Sequence, residues 1–98
     1  MARNDLTMDK KTAVQLDREI AEELARRYPG SPVTSAIVVG QRFDYFGQVF
    51  EIVKIGRSKE RTIHLARRVK DPFGKELLID QRSFPARDFA RQHLRPIA

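Results

Sequence analysis

From Ala13 onward, apolar residues recur at three- and four-residue steps: Ala13, Leu16, Ile20 and Leu24, with Ala21 and Ala25 widening the stripe. That is the period of a helix with one buried face. Thr7 is placed to cap it and Asp9 falls in its first turn, so the helix is predicted from Met8 to about Arg27. Glu22 with Arg26 and Glu23 with Arg27 stand in the favourable acid-first i,i+4 order on its polar face. The segment Tyr28-Pro29-Gly30-Ser31-Pro32 ends it: the prolines cannot continue a helix and Gly30 can adopt a left-handed conformation. From Ala36 the pattern changes to short runs rich in β-branched residues. Strand one is predicted over Ala36–Tyr45, with Ile37, Val38 and Val39 available for burial and Gly40 allowing a bend. Phe46-Gly47-Gln48 turns the chain into strand two, Val49–Gly56, where Phe50 and Ile52 share one face and Val49, Val53 and Ile55 the other. Apolar residues on both faces imply either cover on both sides or a bulge near Val53. Strand three, Arg61–Lys70, points Ile63, Leu65 and Val69 inward and Thr62, His64, Ala66, Arg68 and Lys70 outward. Asp71-Pro72-Phe73-Gly74 is a strong turn signal. It leads to strand four, Lys75–Arg82, with Leu77 and Ile79 inward and Leu78 assigned to neither face. Ser83 is then expected to cap a last helix over Pro85–Leu94, stopped by Pro96.

These elements define an α+β protein: a long N-terminal helix, a four-stranded antiparallel and strongly bent sheet, and a short C-terminal helix. Residues 1–6 are expected to form a flexible tail and residues 7–98 a single domain. The run Val39-Gly40-Gln41-Arg42-Phe43, followed by Gly47-Gln48-Val49-Phe50-Glu51-Ile52-Val53-Lys54-Ile55, resembles the opening hairpin of small SH3-like barrels. The resemblance favours a small, strongly bent sheet, with a small SH3-like barrel as one form it can take. It covers residues 39–55 alone and transfers no functional residue.

Composition narrows the chemistry. There is no Cys among the 98 residues, so disulfides, thiolate metal sites and a Cys nucleophile are absent, and a reducing, cytoplasmic setting is the expectation. No apolar run approaches the roughly 20 residues that a membrane span needs. The two histidines, His64 and His93, do not stand in a ligand-spaced cluster with acids, and no glycine-rich phosphate loop is present, so no metal or cofactor is expected. The net charge of +6 is unevenly placed. Residues 1–31 hold six basic and six acidic residues; residues 32–98 hold 13 and seven, and so carry the entire excess. A segregated positive charge points to an anionic partner.

Three functions follow. The first is non-catalytic binding of nucleic acid, DNA or RNA, through a basic surface made of Arg57, Lys59, Arg61, His64, Arg68 and Lys70 on the sheet hairpin. To these the last helix adds Arg87, Arg91 and Arg95 as a row at i, i+4 and i+8. Phe46 and Phe73, both at turns, are expected to fold back on the core, the alternative being that they stack on bases. The second is a protein-interaction adaptor or inhibitor, of the kind mobile genetic elements carry, that offers the edges of strands one and four to a partner strand. The third is a small toxin-type ribonuclease in which His64, Arg68, Arg61 and Tyr45 converge.

Overall fold

A computed structural model describes residues 13–56 and 61–98. The order of elements is helix α1 (Ala13–Arg27), β1 (Arg42–Tyr45), β2 (Gln48–Ile55), β3 (Thr62–Lys70), β4 (Glu76–Pro85), a one-turn helix α2 (Ala86–Phe89) and β5 (Leu94–Ile97). The strands form one antiparallel sheet in the order β4-β3-β2-β1-β5. The sheet therefore has five strands, not four, and it does not close into a barrel: β4 and β5 remain as edges. The proposed start of α1 at Met8, its Thr7 cap and the tail at residues 1–6 lie outside the described residues.

Helix α1 buries Ile20, Ala21 and Leu24, the centre of the predicted stripe, against Val33, Ile37, Phe43, Phe50, Ile52, Ile63, Leu65, Phe89 and Leu94. The rings of Phe43 and Phe89 meet edge to face, centroids 5.3 Å apart, an arrangement that suits the quadrupoles of aromatic rings. Arg27 does not pair with Glu23. It donates instead to the carbonyls of Ala90 and Gln92, supplying the acceptors left open where α2 ends, while Glu23 pairs with Arg26.

Two predicted elements are replaced, each for a visible reason. Residues 38–41 turn rather than extend. Gly40 sits at φ 99°, the Gln41 side chain accepts from Val38 N–H and donates to Ala36 C=O, and Gln41 N–H reaches Val38 C=O. Those bonds occupy groups that a longer strand would have used, and they leave Val38 and Val39 exposed while Ile37 is buried. The predicted C-terminal helix ends after Phe89 in turns that join Arg91 N–H to Asp88 C=O and Gln92 N–H to Phe89 C=O. The chain then extends as β5, whose Leu94 and Pro96 point inward and whose backbone covers the free side of β1. Proline is tolerated there because an edge strand does not need every N–H. Ser83 lies within β4 and caps nothing; Pro85 takes the N-cap position without a side-chain bond.

Two bulges set which face each side chain occupies. In β2 the register shifts between Ile52 and Lys54, so Val53 is extra: Phe50 and Ile52 point inward before it, and Ile55 joins the same core after it. In β4 two residues lie between Ile79 and Arg82 where β3 has only Ala66 between Arg67 and Leu65, and Asp80 takes φ 53°. The β1–β2 connection is a two-residue turn with Phe46 at φ 53° and Gly47 at φ 85°, a pairing of positive φ values that matches the twist of a hairpin.

Among the described residues the one buried charge is Arg61. Its guanidinium makes two parallel bonds to the Asp17 carboxylate of α1, at 2.9 and 3.0 Å, and a third to the Gly56 carbonyl at 3.1 Å. Replacing Arg61 with Ala strands a largely buried Asp17 carboxylate, and the expected loss is about 3 kcal/mol in urea unfolding. The paired replacement Asp17→Leu with Arg61→Met is expected to recover most of it; a double variant no more stable than the single one would contradict this. Phe46 holds a left-handed conformation that Asn tolerates better, so Phe46→Asn is expected to raise stability by about 0.5 kcal/mol in the same assay.

Candidate functional site

Of the nine basic positions anticipated from the sequence, the seven that are described do not come together in one patch. Arg57 and Lys59 lie outside the described residues. Arg61 is not on the surface at all: it is buried and consumed by Asp17. The predicted Arg87, Arg91 and Arg95 row does not form, because the helix that would align it stops at Phe89. Arg95 points outward from β5 and meets Asp44 at 3.3 Å. Arg87 and Arg91 line an open groove of about 630 Å³ between α1 and α2, whose far wall carries Glu19, Glu22 and Glu23 together with Arg26. A positive wall facing a negative one leaves little field to attract a polyanion.

The remaining three positions, His64, Arg68 and Lys70, do share the outward face of β3. Arg68 reaches across to Glu51 of β2 with two bonds of 2.9 Å and contacts Glu76 of β4 at 3.4 Å. The Glu51 carboxyl is held below the usual carboxylate range, first by that hydrogen bond and then by the charges of Arg68 and Arg42, against the opposing effect of partial burial. Arg68 is correspondingly raised by the same bond and charge. His64 Nδ1 lies 2.8 Å from Ser83 Oγ, and Lys54 of β2 stands opposite His64 across the ladder.

Two features escaped the sequence reading. Lys54 shares the outer face with His64 only because of the bulge at Val53; strict alternation would place it with Phe50 and Ile52. The second feature is an arm. β2 pairs with β3 no further along than Ala66, so the hairpin beyond it is two-stranded, and no residue from 67 to 83 is buried. Leu77 and Ile79 occupy the inward face as predicted, but no described element covers them: Leu77, Leu78 and Ile79 remain 40%, 41% and 37% exposed, and Phe73 at the tip is 95% exposed. Phe73 therefore does not fold back on the core, and Phe46, 72% exposed, touches only the rings of Tyr45 and His93 among the aromatic contacts. The arm is held by its own bonds. Asp71 Oδ1 accepts from the N–H groups of Phe73 and Lys75, and Arg67 pairs with Asp80 at 2.9 Å. The alternation of this strand was legible; the absence of a covering layer was not, because it depends on where β2 ends.

The four residues of the ribonuclease constellation are separated. Tyr45 faces the core side, its ring against Phe50 and Phe84 and beneath the Arg82 guanidinium. His64 and Arg68 face the other way, and Arg61 is buried. Among the described residues no group of three His, Asp or Glu side chains is placed to hold a metal ion, and no helix is long and apolar enough to cross a membrane. Comparison with protein-family models, with curated proteins and with solved structures found no match for this chain.

The Glu51–Arg68 pair makes a pH prediction. A carboxyl whose folded pKa is depressed contributes stability above its unfolded pKa and loses it as pH falls through the folded value. Stability is therefore expected to fall as pH drops below about 4.5, the ordinary value for Glu. Glu51→Gln is expected to be less stable at neutral pH and to show a shallower acid limb in urea titrations; an unchanged limb would remove the pair from this role.

Proposed function

We propose that this chain is a non-catalytic protein-interaction module that binds by adding a partner's extended segment to β4. The observation that carries this is the arm. β4 is an edge of the sheet, and edges are normally blunted by charges, proline, bulges or a covering element. On β4 the bulge sits at Asp80–Gln81, and the residues ahead of it, Lys75–Ile79, continue an open edge with three exposed aliphatic side chains in succession. Backbone pairing would supply affinity, and pockets for alternate side chains would supply selectivity. Lys70 and Lys75 flank this edge without an ion pair among the described residues, so the partner that fits is an extended segment alternating apolar and acidic residues. A polyanion fits the arm less well, because Arg67 and Arg68 are already neutralised by Asp80, Glu51 and Glu76.

A peptide-display selection against the immobilised full chain, followed by titration of a selected peptide into 15N-labelled protein, tests the reading. The expected outcome is acidic–apolar peptides that shift amides of residues 75–80. Leu77→Lys with Ile79→Lys is expected to weaken binding by about tenfold or more, with little change in unfolding, since both side chains are exposed. Peptides that bind without touching these amides would place the interface elsewhere, and a selection that yields none would end the proposal.

A further inference from the structure

We infer that Lys54, His64 and Ser83 form a phosphate-binding row on the outer face of the sheet. The three residues stand directly opposite one another on β2, β3 and β4: Lys54 pairs with His64, and His64 with Ser83. Side chains in such pairs lie about 5 Å apart on one face, a spacing that lets neighbouring donors share the oxygens of one phosphate group. The row is assembled by the Val53 bulge, which turns Lys54 outward; bulges recur where a side chain must be re-aimed toward a site.

The surroundings favour an anion. Lys54 is exposed and has no ion pair among the described residues. The nearest carboxylate on this face along β2 is Glu51, and both its oxygens are taken by Arg68. On β3 the next outward residue is Ala66, which is itself fully covered, and the chain ahead of β1 pairs on to Ile52 through Gly40 and Gln41, so the row begins beyond that point. The Ser83 hydroxyl engages His64 Nδ1 at 2.8 Å, and when it donates there the imidazole carries its proton on Nε2, aimed away from the serine. A phosphate at the row would then receive charge from the Lys54 ammonium and a hydrogen bond from His64 Nε2–H. The ligand chemistry is a phosphate group, either a phosphodiester of nucleic acid or a phosphate monoester. The row uses none of the arm residues on which the proposed function rests, so the two stand or fall separately.

The test is an NMR titration of the full chain, following the imidazole nitrogens of His64 with His93 as internal reference. The probes are inorganic phosphate and an oligothymidylate, each at low and high salt. The expected result is a saturable shift at His64 and at the Lys54 and Ser83 amides, weakened about fivefold by Lys54→Gln and unchanged by Arg95→Gln on the far edge of the same face. Tighter, salt-sensitive binding of the oligonucleotide assigns the site to nucleic acid; equal or tighter binding of inorganic phosphate assigns it to a monoester. No saturable His64 shift with either probe overturns the inference, as does Lys54→Gln binding both probes with wild-type affinity.

Discussion

The bidentate contact between Arg61 and Asp17 is where the parts of this fold meet. Asp17 belongs to α1, Arg61 immediately precedes β3, and the same guanidinium holds the Gly56 carbonyl at the end of β2. The Arg61 carbonyl accepts from Ala86 N–H at 2.7 Å, which starts α2, and the Asp17 carbonyl accepts from Ile37 N–H. One residue pair thus links the helix, three points on the sheet side and the short helix. Burying two charges costs desolvation that their attraction only partly returns, so such a pair earns its place through the geometry it imposes rather than through net stability. It fixes which face of the sheet α1 covers, and so which face stays open.

The bulges do the rest of the sorting. A strand presents alternate residues to opposite faces, so one extra residue exchanges the faces for everything beyond it. At Val53 this brings Ile55 into the core and sends Lys54 out toward His64. At Asp80–Gln81 it returns Leu77 and Ile79 to the inward face, but at a distance where neither helix nor β2 reaches. The result is a sheet with two kinds of exposed surface. The outer face is charge-paired at Glu51–Arg68–Glu76 and at Asp44–Arg95 but leaves Lys54 and Lys70 without an ion pair among the described residues, while the arm is aliphatic and has β4 as an edge of the sheet. The arm carries the protein-binding reading and the row carries the phosphate inference.

Much was legible in the residues themselves. The stripe Ile20, Ala21 and Leu24, the turns at Gly47 and Asp71–Gly74, and the inward set Phe50, Ile52, Ile63 and Leu65 all follow from local period and turn chemistry, which act over a few residues and need no partner. The irregularity near Val53 was also readable, because apolar residues on both faces of a strand demand either two covers or a change of phase. The basic patch was not readable. A row of arginines at i, i+4 and i+8 has meaning only if the helix lasts, and Leu94-Arg95-Pro96-Ile97 also fits the alternation of a strand, which the free edge of β1 recruited.

The sequence alone therefore determined the α+β class, the helix face, the hairpin turns and the excess of positive charge, since each is set by neighbours along the chain. The tertiary structure decided which charges survive as free charges. Arg61, Arg68 and Arg95 meet carboxylates 44, 17 and 51 positions away, and no local pattern contains those partners. It also decided that the apolar side chains of β4 stay uncovered, because cover depends on where the other strands end.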